Sequence, residues 1–263
     1  MSTNDFPTYY PYLPEASCYI LPRVAHSDNE SRVVPPKEAW ISRKYGSTDE
    51  EYLASGKRDV EEMLDICRRA GVAVETLGHI LEFGCGDGRM IRWLRRLAED
   101  REVWGTDIDA GRIFWCKQHL GPPLHFIVNT TVPHLPFEDR HFGFIYAGSV
   151  FTHIDDLADA WIAELRRILR PGGKLFMTVH LKNDIDLLNT KYQASGLAQV
   201  LRSPEADRFV RTDFDMFTIG RSSQSFVFYD LDFLRKSIEP QFRVLSVTPG
   251  VRLYQNALLL ERS

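Results

Sequence analysis

The sequence predicts an α/β protein built on a mainly parallel sheet with helices on both faces. Three observations carry that expectation. From residue 79 onward short apolar runs alternate with segments of helical pattern, a glycine-rich turn (GCGDGR) joins the first run to the first such segment, and the last two runs are too close together for a crossover.

In order, HILEFG reads as a buried strand, RMIRWLRRLAED as a helix with Met90, Ile91, Leu94 and Leu97 on one face, and EVWGTDI as a second strand, which completes a βαβ unit. A helix near GRIFWCKQHL, a strand at LHFIV, a strand at FGFIYAG, a helix over DDLADAWIAELRRILR and a strand at KLFMTVH continue the alternation. Residues 181–228 break it. A helix around DLDFLRKSI follows, then FRVLSVT and NALLLE, whose short glycine-containing connection predicts an antiparallel pair at the sheet's edge. Upstream, Thr48 with Glu51 three residues on makes a capping box. Val60, Met63, Leu64 and Cys67 recur at helical spacing, and Gly71 ends that helix. Residues 1–46 are rich in proline and tyrosine. Phe6, Tyr9, Tyr10, Tyr12, Tyr19 and Trp40 give this arm apolar surface, which predicts that it packs over the folded body. The chain thus divides into an arm and helix (1–75) and a main domain (76–263) with an insertion at 181–228.

Composition narrows the function classes. With 263 residues the chain can bury a sizeable core. A net charge of −4 and a pI near 6.1 make nucleic acid an unlikely partner. Cys18, Cys67, Cys85 and Cys116 are scattered without a CxxC pair or a Cys/His cluster, so neither a metal site nor a disulfide framework is expected. The start lacks a charged segment followed by an apolar core, and no run approaches the ~18 apolar residues of a membrane span. The expected protein is soluble and cytoplasmic.

A loop that approaches a ligand with its backbone needs glycines, because a side chain would fill the ligand's space. Gly84, Gly86 and Gly88 meet that need, but as GxGxG; the dinucleotide fingerprint GxGxxG would place its last glycine where Arg89 stands, and no P-loop Lys-Ser/Thr follows. The same glycines would also make a tight strand-to-helix turn with no ligand at all. Two acids favour a nucleoside: Glu82 just before the loop, which would repel a phosphate and suit an ammonium or sulfonium, and Asp107 closing the second strand, where a carboxylate can accept both ribose hydroxyls.

From about residue 79 to the end, the chain resembles the class I S-adenosylmethionine-dependent methyltransferases. LEFGCGDGR resembles their first motif, VWGTDID their second, LPFEDRHFGFIYAGSVFTH the segment through the fourth strand, and LRRILRPGGKLFMTVH the helix and fifth strand after it; SVFTH and TVH point to a bacterial subgroup. The resemblance implies a Rossmann-like, doubly wound, seven-stranded sheet with an antiparallel last strand, and S-adenosyl-L-methionine as cofactor. It implies that Gly84, Cys85, Gly86 and Gly88 carry the backbone past the methionine portion with Glu82 below, and that Asp107 binds the ribose. Ile108 would lie against the adenine, Asn129, Thr130 and Thr131 would border its edge, and Ala147, Gly148 and Ser149 would face the methionine and its methyl group. Two positions depart from the pattern: NTTVPHLPF offers only amide and hydroxyl groups where many relatives have an acid for the adenine amino group, and Gly143 stands where an aspartate is usual.

Methyl transfer from a sulfonium is an in-line displacement, so the enzyme positions the acceptor and, for a hydroxyl or protonated amine, removes a proton. His153 and His180 are the candidate bases, since both follow strands at the carboxyl edge where open α/β folds place ligands; each also has a structural reading. Asp155 and Asp156 read as the cap and first turn of the next helix. His134 and Pro136 sit in a loop, Tyr229 opens a late helix, and Trp115 and Cys116 read as core. Trp40, Arg43 and Tyr45 could close over the cofactor, with packing the simpler role. The insertion mixes Phe209, Phe214, Met216 and Phe217 with Arg202, Arg208, Arg211 and Arg221, a composition suited to a lid. The expected function is methylation of a small-molecule acceptor, on oxygen. A protein or RNA methyltransferase and a binding protein without activity are the alternatives.

Overall fold

A computed structural model describes residues 33–36, 46–210, 213–220, 225–239 and 241–263. The aromatic arm residues, Cys18, Arg43 and Tyr45, and Arg211 and Arg221 of the insertion, lie outside them. The chain forms two compact units that meet in sequence at Tyr146/Ala147.

The first unit opens with α1 (Asp49–Arg69), and its ends are as the sequence predicts. The Thr48 hydroxyl accepts from the Glu51 amide while Glu51 accepts from the Thr48 amide, a complete capping box. At the other end Gly71 takes φ 77°, its amide donates to Arg68 and that of Val72 to Cys67, which closes the last turn as a Schellman motif. Four parallel strands follow, β1 (Ile80–Phe83), β2 (Val103–Asp107), β3 (His125–Val128) and β4 (Phe142–Ala147), with β1 between β2 and β4, β3 outside β2, and α2 (Ala110–His119) between β2 and β3. One element departs from expectation. Residues Ile91–Glu99 form a 3-10 helix, not an α-helix. Its entry explains the tighter winding: the Arg92 guanidinium donates to the Gly88 carbonyl at 2.9 Å and Trp93 bonds three residues back to Met90, while the Arg92 amide reaches Gly88 only at 3.4 Å. Ile91, Leu94 and Ala98 are buried, and Leu97 is only half-buried.

The second unit holds α3 (Ala158–Ile168), β5 (Leu169–Leu181), α4 (Asp184–Thr190), α5 (Gly196–Leu201), α6 (Pro204–Val210), β6 (Met216–Ile219), β7 (Phe226–Tyr229), α7 (Leu231–Ile238), β8 (Phe242–Val251) and β9 (Gln255–Arg262). β7 runs parallel to β5 and antiparallel to β6, and β9 lies antiparallel between β5 and β8, so the closing antiparallel pair is as expected. The described strands number nine, because the insertion contributes β6 and β7 to the seven read from sequence. The insertion also builds its own core. Ile185, Leu188, Leu197, Leu201, Phe217 and Phe228 are buried together and Phe214 packs against them, so Phe217 and Phe214 fill this cluster; Met216 stays exposed.

Three local expectations are corrected. Helix α3 starts at Ala158 with Leu157 as its cap, so Asp155 and Asp156 precede it; the Asp155 carboxylate accepts from the Asp156 amide, and the Ala158 amide closes a backbone turn on the Asp155 carbonyl at 3.2 Å. Tyr229 ends β7, and Asp230 caps α7 by accepting from Asp232 and Phe233. Cys116 is core, whereas Trp115 is half-buried and tilts onto His119. Among the described residues no helix is long and apolar enough to cross a membrane.

Candidate functional site

The glycine loop is folded back onto the end of β2. The amides of Gly84 and Cys85 both donate to the Thr106 carbonyl at 2.8 Å, and Gly84, Gly86 and Gly88 take φ of 78°, 54° and 74°, left-handed values that disfavour any side chain. Gly88 has a second reason. A Cβ there would lie 2.4 Å from Leu120 and 3.3 Å from the Cys116 sulfur, so this glycine serves helix packing.

Asp107 locks the loop. One carboxylate oxygen accepts from the Gly86 amide at 2.7 Å and the other from the Asp109 amide at 2.9 Å. Each oxygen keeps a second lone pair for an outside donor. Burial pushes this carboxyl above its ordinary range, against the two amide bonds that favour the anion. Beside it, the Asn129 amide donates to the Asp107 carbonyl at 3.0 Å and its Nδ2 to Thr130 at 2.9 Å. Asn129 is 5% exposed, and its Oδ1 has no hydrogen-bond partner among the described residues. Such an orphaned acceptor costs free energy unless a ligand supplies a donor. Ile108 next to Asp107 is half-buried, and Thr130 and Thr131 are exposed.

Glu82 is buried and accepts from the Tyr146 hydroxyl at 3.0 Å, a partner across the β1/β4 pair that sequence reading missed. Cys85 and Cys116 both point at the Gly86 carbonyl, at 3.8 and 3.6 Å, and burial pushes both thiols upward, which keeps them protonated.

Helix α1 is fastened to the loop, a connection the sequence did not announce. The Tyr52 hydroxyl donates to Asp87, and Arg89 reaches the Ser55 hydroxyl at 3.2 Å and pairs with Asp59. A Cβ on Gly56 would sit 2.1 Å from the Arg89 carbonyl, so α1 rests directly on loop backbone. Arg92, 2% exposed, ties in the upstream segment by donating to the Val33 carbonyl at 2.6 Å. His134 and Pro136 are exposed.

Elsewhere in this unit His79, Glu102 and His141 bring their ligand atoms within 4.8 Å of one another. These groups satisfy themselves. His79 Nδ1 accepts from the Glu102 amide at 3.0 Å, His141 Nε2 lies 2.8 Å from the Glu102 carboxylate, and the two rings stack at 4.9 Å and 11°, with in-plane lone pairs that do not converge.

In the second unit Ala147 is buried and Gly148 half-buried. Ser149 takes φ 59° and is held there: its amide donates to the Thr178 hydroxyl at 2.7 Å and its own hydroxyl to Gln255 at 2.9 Å, which also accepts from Thr178 at 2.8 Å. His153 is half-buried, with Nδ1 2.7 Å from the Ser225 carbonyl. His180 is 2% exposed, between the rings of Phe228 and Tyr254 at 5.0 and 5.7 Å. A cavity of about 290 Å³ in this unit is lined by apolar Phe151, Ile162, Met177, Val179 and Leu234, with Asp159 among its polar groups.

A glycine loop after the first strand, locked by a carboxylate that closes the second, is the arrangement of a nucleoside-binding α/β domain. Residues 81–177 match the family described as "Methyltransferase domain", the stretch that carries the motifs resembling the class I S-adenosylmethionine-dependent methyltransferases. The chain is 32% identical over 120 residues (44% of this chain, 42% of the relative) to phthiotriol/phenolphthiotriol dimycocerosates methyltransferase 1 of Mycobacterium ulcerans. It is 24% identical over 155 residues (59% and 54%) to malonyl-[acyl-carrier protein] O-methyltransferase of Hahella chejuensis. It thus spans about half the length of the curated relatives it matches. Among solved structures, the PH0226 protein of Pyrococcus horikoshii OT3 superposes with a TM-score of 0.60 at 20% identity, covering 85% of this chain and 97% of that one. Magnesium protoporphyrin IX methyltransferase of Synechocystis PCC 6803, solved with bound S-adenosylhomocysteine (SAH), gives 0.52 at 16% identity, covering 84% and 92%. These structures share the Rossmann-like fold.

Proposed function

We propose that the protein transfers the methyl group of S-adenosylmethionine to an oxygen of a small-molecule acceptor. The observation that carries this reading is the Asp107 lock, which holds a carboxylate at the end of β2 with one lone pair left on each oxygen for the two ribose hydroxyls. Asn129 Oδ1, orphaned and buried, takes the adenine amino group in place of the acid that many relatives carry. Glu82, Gly84, Cys85, Gly86 and Gly88 serve the methionine portion, Ile108, Thr130 and Thr131 the adenine, and Ala147, Gly148 and Ser149 the end that bears the methyl group. Residues 1–75 act as a cap, a role supported by the contacts of α1 with the loop.

When bound, the cofactor supplies an electrophilic methyl group on a sulfonium. The residues of this chain would hold an acceptor oxygen beside that methyl group and take up the acceptor's proton at a base. His153 and His180 are the candidates for that base. The "O-methyltransferase" name of the Hahella relative supports oxygen, and the volume of the cavity, lined by apolar side chains together with Asp155, Asp156 and Asp159, supports an acceptor of metabolite size. Protonated, buried Cys67, Cys85 and Cys116 suit a reducing compartment such as the cytoplasm.

Calorimetric titration of S-adenosylmethionine and NAD into the wild type, Asp107→Ala and Asn129→Ala tests the cofactor assignments. Micromolar binding of the first ligand alone, lost in Asp107→Ala and weakened roughly tenfold or more in Asn129→Ala, supports them. Equal binding by all three proteins would sink them. A panel of long-chain alcohols, fatty acids and acyl thioesters with labelled cofactor then tests the acceptor class; labelling of protein or RNA instead would replace it.

A further inference from the structure

We infer that Ser225 is a positioning residue that presents His153 with Nε2 as its basic nitrogen; this rests on the proposed methyl transfer and selects His153 over His180 as the base. The tautomer follows from the partner. The Ser225 carbonyl oxygen can only accept, so His153 Nδ1, at 2.7 Å, carries the proton, and in the neutral ring the lone pair is on Nε2. Neutral histidine in water divides between its two tautomers; here one backbone oxygen settles the choice.

Ser225 works from both ends. Its hydroxyl donates back to the His153 carbonyl at 2.8 Å, which ties the ring's own backbone to the strand that holds the ring. Neighbouring bonds keep that strand in place: the Val227 amide donates to Thr152 at 2.9 Å, the Tyr229 hydroxyl donates to Ile154 at 3.2 Å, and the Phe226 ring lies 5.5 Å from the imidazole. Ser225 is fully buried, immediately before β7, which pairs with β5 through His180↔Phe228 and Leu181↔Tyr229. Residues 152–154 are therefore held by a strand that the insertion supplies. His180 has the opposite surroundings. Flanked by two rings and 2% exposed, it has little room to meet an acceptor.

The test needs no acceptor. Two-bond proton–nitrogen correlation spectra of 15N-labelled full-length protein at pH 8 report which ring nitrogen of each histidine is protonated, and His153→Gln assigns the signal. The wild type is expected to show His153 protonated at Nδ1, with Nε2 bare. In Ser225→Ala the preference is expected to weaken by up to about tenfold, toward a mixture, as one hydrogen bond of the pair is lost. A wild-type ring protonated at Nε2 overturns the inference; an unchanged tautomer in a folded Ser225→Ala, which keeps the carbonyl, overturns the part given to the hydroxyl. If Ser225→Ala does not fold, the wild-type spectrum still decides. An intact methyl transfer by His153→Gln, with the wild-type tautomer as inferred, removes the base assignment and leaves the positioning.

Discussion

Asp184, at the start of α4, is 1% exposed, and its carboxyl is pushed up from 3.8 to about 6 because burial outweighs the bonds it accepts from the Leu181 amide (2.8 Å) and Asn256 Nδ2 (2.8 and 2.7 Å). A carboxyl raised in the native state binds its proton more tightly folded than unfolded. Its contribution to stability is therefore fully present below pH 3.8 and is lost as pH rises through about 6. At 1.36 kcal/mol per unit, that loss is about 3 kcal/mol. Asp184→Asn keeps the shape without the charge, and Asn256 can turn its amide to present an acceptor. Urea unfolding of both proteins from pH 4 to 7.5 is the assay. The variant is expected to match the wild type near pH 4 and to exceed it by up to about 3 kcal/mol at pH 7.5, with the difference opening between those limits. The comparison cancels the opposing slopes of other carboxyls such as half-buried Glu261, whose bonds to Lys174 and Arg243 pull it down. A variant less stable than the wild type at pH 7.5, or a difference flat in pH, would refute the reasoning: the bonds from Leu181 and Asn256 would then outweigh burial.

Three further outcomes follow from the same geometry. Tyr52→Phe removes the hydroxyl that donates to buried Asp87, whose other oxygen has no partner among the described residues, and is expected to cost about 1–3 kcal/mol in urea unfolding. Gly56→Ala places a methyl against the Arg89 carbonyl, a backbone atom that cannot swing aside, and is expected to cost about 1–3 kcal/mol and to speed amide exchange along α1. Native Cys85 and Cys116 are expected to resist a maleimide over hours and to react at once in urea; rapid labelling of the native protein would contradict their burial and raised thiol pKa.

Much of the fold was legible because its signals are local. The Thr48/Glu51 box and the Gly71 stop each lie within one helical turn, and the alternation of runs from residue 79 located every strand of the first unit. The glycine loop and Asp107 were legible for the same reason. What escaped depends on distance along the chain: Tyr146 on Glu82, Asn256 on Asp184 and Ser225 on His153 join residues 64 or 72 apart, and no spacing rule records them. Strands β6 and β7, four residues each, are too short to show alternation, and both follow a stretch of broken pattern. The 3-10 helix at 91–99 kept an apolar face compatible with either winding. Its difference lies in what Arg92 does with the Gly88 carbonyl.

The seat of α1 on the glycine loop makes two events thermodynamically inseparable. Gly56 lies against the Arg89 carbonyl and Tyr52 bonds to Asp87, so the loop cannot shift without the helix, nor the helix fray without loosening the loop. A ligand that steadies the loop must then protect α1 against local opening by the same free energy with which an intact α1 improves that ligand's affinity. Helix and loop thus open and close as one cooperative unit, and the stability of α1 is part of the stability of the glycine turn.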